Sequence, residues 1–158
     1  MKRILMAGLL LTSSTPPALA AEPGASPLIG TWRVISTVSR TLGVEGETRS
    51  ATSGYIVITP EHRIVAVTVQ PGRVPATNDT EALALARSMM VYTGRFELAA
   101  DHYTVHVEFS STQLNLDKPQ VRHYRIDGDT LTVTTPMHES NVQPGTQNQT
   151  VLTAVREK

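Results

Sequence analysis

The chain has no cysteine among its 158 residues. Disulfides, thiol nucleophiles and thiolate metal ligands are therefore excluded, and so is a lipid anchor on an N-terminal cysteine. Aromatic residues are few: one Trp, two Phe and four Tyr. Neither sign of charge dominates, with 14 Lys+Arg against 14 Asp+Glu. A balance without a basic excess argues against nucleic acid as a partner and against a basic membrane-surface site. Long apolar runs are also missing. Ile4 to Leu11 is shorter than the roughly 20 residues of a membrane span, and no later run is long enough. No membrane insertion is expected.

The N-terminus carries an export pattern. Lys2 and Arg3 precede the apolar run, Pro16 and Pro17 break it, and Ala18-Leu19-Ala20 forms a small-x-small cleavage site. Residues 1–20 read as a secretory signal peptide cleaved after Ala20, the rival reading being an uncleaved signal anchor. The mature chain is expected to be exported, periplasmic or secreted, and free in solution. It keeps 12 Lys+Arg against 14 Asp+Glu. Residues 21–27 read as a flexible leader, and 28–158 as one domain.

The rest of the chain is a series of strand-like runs between turn residues. Leu28–Arg40, Gly54–Thr59, Arg63–Gln70, Val91–Ala99, His102–Ser111, Gln120–Asp127, Asp129–Pro136 and Thr150–Val155 are predicted strands. Asp127-Gly128 is the strongest hairpin signal. One helix is predicted over Thr80–Met90, with Asn78 and Glu81 as a loose capping box. Its apolar face of Ala82, Leu85, Ala86 and Met89 would pack on a sheet, close one end of it, or act as a ligand-gating lid. Residues 137–149 read as a long exposed loop. About eight or nine short strands with one helix imply an all-β sandwich or an up-and-down barrel.

The run HYTVHVEFS (102–110) alternates polar and apolar residues, so one face must look inward. A hairpin with Ile126 opposite Asp129 sets Tyr124 against Leu131 and Arg122 against Val133. Arg122, Tyr124, Ile126, Leu131 and Val133 then share an apolar, inward face. A buried Arg needs a polar or acidic partner. In one register of strand 102–110, Glu108 faces Arg122 and His106 faces Tyr124, and the apolar residues turn outward. In the register shifted by one, the valines and Phe109 point in and the polar stripe meets solvent. Charge pairing favours the first and hydrophobicity the second.

The stretches LIGTWR (28–33), GYIVITP (54–60), YTGRF (92–96), VHVE (105–108), VRHY (121–124) and DGDTL (127–131) occur in this order. Together, from about Leu28 to Val133, they resemble the bacterial and fungal lipocalin-like domain family. Two features depart from its pattern: Gln113–Asp117 stands where the family often has Pro-Asn-Trp, and Ala154 or Val155 where it often has a late Trp. The resemblance implies an up-and-down β-barrel with room for one small ligand. It supports the register that turns His106, Glu108, Arg122 and Tyr124 into the lumen. It also implies a structural role for Gly30, Trp32 and Arg156, with Arg156 stacked over Trp32 at the closed end.

Chemistry is sparse. His102 and His106 share a face but lie roughly 13 Å apart along a strand, too far to chelate one zinc. Neither a metal nor another cofactor is expected. There is no Gly-x-Ser-x-Gly elbow, and the two Asn-x-Thr sequons read as chance. Three functions remain. The first is binding of a small apolar or amphipathic molecule through His106, Glu108, Arg122 and Tyr124, with Tyr55 and Arg95 in support. The second is an isomerase, cyclase or hydrolase with His106 or Glu108 as acid–base and Arg122 as anion stabiliser. The third is a secreted interaction module with a filled barrel, in which Glu108–Arg122 would be only a structural pair.

Overall fold

The computed structural model describes residues 26–112, 116, 118–139 and 145–158. The expected signal peptide and most of the expected leader lie outside these residues. Ser26 and Pro27 are tied to the domain: the Ile29 amide donates to the Ser26 carbonyl at 2.9 Å, and the Arg156 guanidinium donates to the Pro27 carbonyl.

The strands are β1 (Gly30–Thr41), β2 (Thr48–Ser50), β3 (Ser53–Ile58), β4 (Arg63–Val69), β5 (Met89–Leu98), β6 (His102–Ser110), β7 (Gln120–Asp127), β8 (Thr130–Thr134), β9 (His138–Glu139) and β10 (Gln147–Arg156). One helix, α1 (Asp79–Arg87), joins β4 to β5. Eight strands follow one another around a closed antiparallel barrel in the order β1-β3-β4-β5-β6-β7-β8-β10, and β10 pairs back onto β1. β2 and β9 are short additions beside β1 and β10. The all-β, up-and-down barrel expected from the sequence is the fold observed.

Alternation fills the interior in tiers. At the closed end Leu28, Trp32, Ile58, Ile64, Leu131 and Ala154 are fully buried. Trp32 donates its indole N–H to the Leu28 carbonyl at 2.9 Å, which satisfies the one polar atom of the floor's largest side chain. The Arg156 guanidinium carbon stands 4.1 Å from the Trp32 ring centroid, and its Nη1 donates to the Ile29 carbonyl at 3.0 Å. A cation–π contact of this kind contributes about 0.5–2 kcal/mol. Glycine is required beneath it, because Gly30 has φ 137° and a Cβ there would lie 2.7 Å from Arg156 Nη1.

Several expectations are corrected. The β7–β8 turn is Gly128-Asp129, with Asp127 opposite Thr130, Ile126 opposite Leu131 and Tyr124 opposite Val133. Gly128 takes the left-handed conformation, φ 56°, that such a turn requires. The shift of two residues from the expected register leaves both faces as read. The expected loop 137–149 contains β9 and the start of β10, which pair through Gln147–Glu139 and Asn148–His138. The helix is shorter than predicted and stands at the open rim with no buried residue. Asn78 does cap it, accepting from the Glu81 amide at 3.0 Å, but the Glu81 carboxylate turns back to Thr77 rather than to the cap.

The main correction concerns β6. It pairs with β7 through His102–His123, Tyr103–Arg122, Thr104–Val121 and Val105–Gln120. Tyr103 and Val105 therefore face inward with Arg122, and the polar stripe faces out. The alternation then breaks. Thr93 of β5 pairs with Phe109 while Gly94 pairs with Val107, so Glu108 is an extra, bulged residue. Phe109 consequently points to solvent, 71% exposed, although the apolar-inward register would have buried it. The bulge also presses β6 onto β5: a Cβ on Gly94 would lie 2.1 Å from the His106 carbonyl oxygen.

Gly94→Ala is expected to lower stability by about 1–3 kcal/mol through this backbone clash. Phe109→Ser should change it by less than about 0.5 kcal/mol. Urea unfolding of both variants checks the pair; an undiminished Gly94→Ala would remove the close-approach argument.

Candidate functional site

Above the closed floor the barrel is hollow. A cavity of about 800 Å³ opens at the end where β1, β4, β7 and β10 meet the rim. Its wall is apolar at mid-depth, from Ile56, Ala66, Val133 and Leu152. Its mouth is ringed by hydroxyls, from Thr37, Thr68, Thr135 and Thr150. This order follows from strand position: on β4 the inward residues run Ile64, Ala66, Thr68 from floor to mouth, and on β10 they run Ala154, Leu152, Thr150. Among the described residues, β6 has no β7 partner beyond Val105. Lys118, Pro119 and Gln120 border the cavity near that point.

Two polar groups interrupt the apolar tier. Tyr103 is 1% exposed, lines the cavity, and its hydroxyl has no hydrogen-bond partner among the described residues. Its direct cross-strand partner is Arg122, also a lining residue. The Arg122 guanidinium donates to the Val121 carbonyl at 2.8 Å and to the Gln120 side-chain oxygen at 3.3 Å. Among the described residues no carboxylate reaches it. Tyr92 also lines the cavity. Burial pushes the Tyr103 hydroxyl well above the ordinary tyrosine range; Tyr92 adds to the rise and Arg122 opposes it.

The residues singled out from the sequence separate into two groups. Arg122 lies in the cavity. Tyr124 points inward and packs on the core, its ring 6.1 Å from that of Tyr103, below the open space. His106, Glu108, Tyr55 and Arg95 stand on the outer wall, which corrects their expected place in the lumen. His106 faces Glu97 at 3.1 Å. Glu108 bridges Arg63 and Arg95, so its carboxylate is occupied by exposed cations rather than by Arg122. Tyr55 is 45% exposed. For His106 and Glu108 the physical reason is that burying Tyr103 and Val105 outweighs the gain from one ion pair, whose charges must also be desolvated; Tyr55 and Arg95 turn out because their neighbours Ile56 and Phe96 turn in. Tyr103, Tyr92 and Gln120 were missed. The signal for Tyr103 was its place on the same strand face as Val105.

The raised Tyr103 value has a consequence with a definite sign. Above pH of about 10 an unfolded chain releases this phenol proton, while the folded chain keeps it. The unfolded state then binds fewer protons, so stability falls as pH rises. Between about pH 9 and about pH 11 the wild type should lose more thermal stability than Tyr103→Phe. At neutral pH the same variant should be as stable as wild type or about 1 kcal/mol more so, since it deletes a buried hydroxyl that has no partner among the described residues. Parallel pH profiles would contradict the argument.

The closed eight-stranded barrel and its open cavity agree with a comparison of sequences. Residues 29–157 match the family model described as the lipocalin-like domain. No curated protein matches the chain. The family match spans most of the sequence, and the chain belongs to the lipocalin-like domain family.

Proposed function

We propose that the protein binds a small, partly apolar molecule carrying one anionic or hydrogen-bond-accepting group, seated against Tyr103 and Arg122. The observation that carries this reading is a Tyr103 hydroxyl and, across the strand from it, an Arg122 guanidinium that find, among the described residues, no hydrogen-bond partner and no carboxylate respectively, both lining a wall that is apolar at mid-depth. A buried donor without a partner costs about 1–3 kcal/mol, and a half-buried cation that meets no anion among the described residues adds to it. A ligand that supplies the acceptor relieves both. Pockets of this kind use an apolar wall for affinity and a few polar groups for orientation. The volume of about 800 Å³ suits a drug-sized or lipid-sized molecule rather than a macromolecule.

The acid–base reading rested on His106 and Glu108, which stand outside the cavity, and it is not carried forward. The export pattern at the N-terminus supports a site of action outside the cytoplasm; an intact mass lacking residues 1–20 is the expected result for the exported chain.

The deciding experiment titrates the protein with a fluorescent long-chain carboxylate and with its alcohol analogue. The carboxylate should bind about tenfold or more tightly than the alcohol, in line with a charge-assisted hydrogen bond. Arg122→Met should abolish that preference and Tyr103→Phe should reduce it, while His106→Ala leaves it intact. Equal affinity for both probes, or an effect of His106→Ala alone, would overturn the assignment.

A further inference from the structure

Behind the cavity, on the outer wall, three donor side chains converge. His102 opens β6, His123 lies on β7, and the two are direct cross-strand partners. Their neighbours Tyr103 and Arg122 point inward, so alternation turns both imidazoles outward. The ring centroids are 5.7 Å apart. Asp101, the last residue before β6, adds a carboxylate between them. Its Oδ1 lies 2.8 Å from His102 Nδ1 and its Oδ2 3.9 Å from His123 Nδ1. One donor atom from each residue lies within 4.8 Å of the other two.

We propose that Asp101, His102 and His123 form a binding site for a divalent transition-metal ion of the zinc class. Two imidazoles and one carboxylate are a borderline-soft donor set, suited to zinc and its neighbours and not to calcium or magnesium. Zinc bonds of about 2.0–2.2 Å bring tetrahedral donors roughly 3.4 Å apart. The Asp101–His102 atoms at 2.8 Å and the Asp101–His123 atoms at 3.9 Å must therefore each shift by roughly half an ångström to reach that spacing. All three side chains are at least one-third exposed, so rotation about their own χ angles can supply the movement.

The backbone that carries them is fixed. The Tyr124 amide donates to the Asp101 carbonyl at 3.1 Å, and the Ala99 amide donates to the His102 carbonyl at 2.8 Å. Rigid ladder positions are better metal scaffolds than loops. Three protein ligands leave a fourth position for water. Sequence spacing concealed the set, because His102 and His106 share a strand while the true neighbour of His102 lies 21 positions away across the ladder.

The competing account is an imidazole pair oriented by a carboxylate, with no ion. The hydrogen bond from His102, which holds the Asp101 carboxyl below its usual range, is compatible with either. Zinc titration separates them. Untagged, chelator-treated full-length protein is titrated with Zn²⁺ alone by calorimetry. One zinc per chain is expected, with affinity reduced by about tenfold or more in His102→Gln and in His123→Gln. His106→Gln serves as the control and should retain full affinity. Thermal unfolding in chelator shows whether each variant is folded. On the wild type, Zn²⁺ should perturb the imidazole NMR signals of His102 and His123 and leave those of His62, His106 and His138 in place. No binding, binding indifferent to both substitutions, or perturbation of the other three histidines instead would overturn the proposal.

Discussion

The barrel depends on the pairing of β1 with β10. The other barrel neighbours follow one another in chain order, whereas this seam joins Trp32 to Arg156 and Thr41 to Asn148. Closing a sheet on itself removes its exposed edges, and here it also creates the interior. The contacts at the seam serve both ends of the chain at once. Arg156 lies over Trp32 and ties down the carbonyls that lead into β1. Trp32 in turn donates to Leu28. One residue pair thus seals the floor, fixes the entry of the chain and leaves the other end of the barrel free to stay open.

The interior is then a compromise between packing and access. Its lower tier is dry and filled, as expected of the close-packed core of a small domain without disulfides. Its upper tier is hollow and holds polar groups that a filled core would not tolerate. Buried polar atoms are nearly always paired, and the places where folded proteins leave them unpaired are commonly sites of function. The Tyr103–Arg122 pair is such a place. It sits on β6 and β7, whose ladder among the described residues has four residue pairs, from His102–His123 to Val105–Gln120.

Much of the architecture was legible because it rests on periodicity. The inward face of β7 and β8 came through although the turn lies one position later than expected, since that moves the pairing by two residues and an even shift preserves the face. The capped helix was legible from Asn78 and its helix formers, but nothing in a hydrophobic pattern reveals that a helix will stand at a rim with no surface to bury against. The candidate site was read less well. Both registers of strand 102–110 assumed unbroken alternation, and a single bulged residue defeats that assumption. The register turned inward was supported by the family resemblance and by an ion pair, Glu108 with Arg122, when exposed partners for Glu108 were available in Arg63 and Arg95. Pairing across strands depends on tertiary register, which is why the neighbours His102 and His123 were also invisible from spacing.

The bulge at Glu108 has a further effect, on volume. Had strict alternation continued from Val107, Phe109 would have entered the lumen opposite Tyr92, in the tier where the cavity now begins. The inserted residue changes the phase of the strand, and Ser110 takes that place opposite Tyr92. A large ring is exchanged for a small hydroxyl without altering a single inward-facing residue on the neighbouring strands. Capacity for a guest is thus set here by phase rather than by the choice of small side chains. The same sequence paired without the bulge would have a smaller chamber within the same barrel.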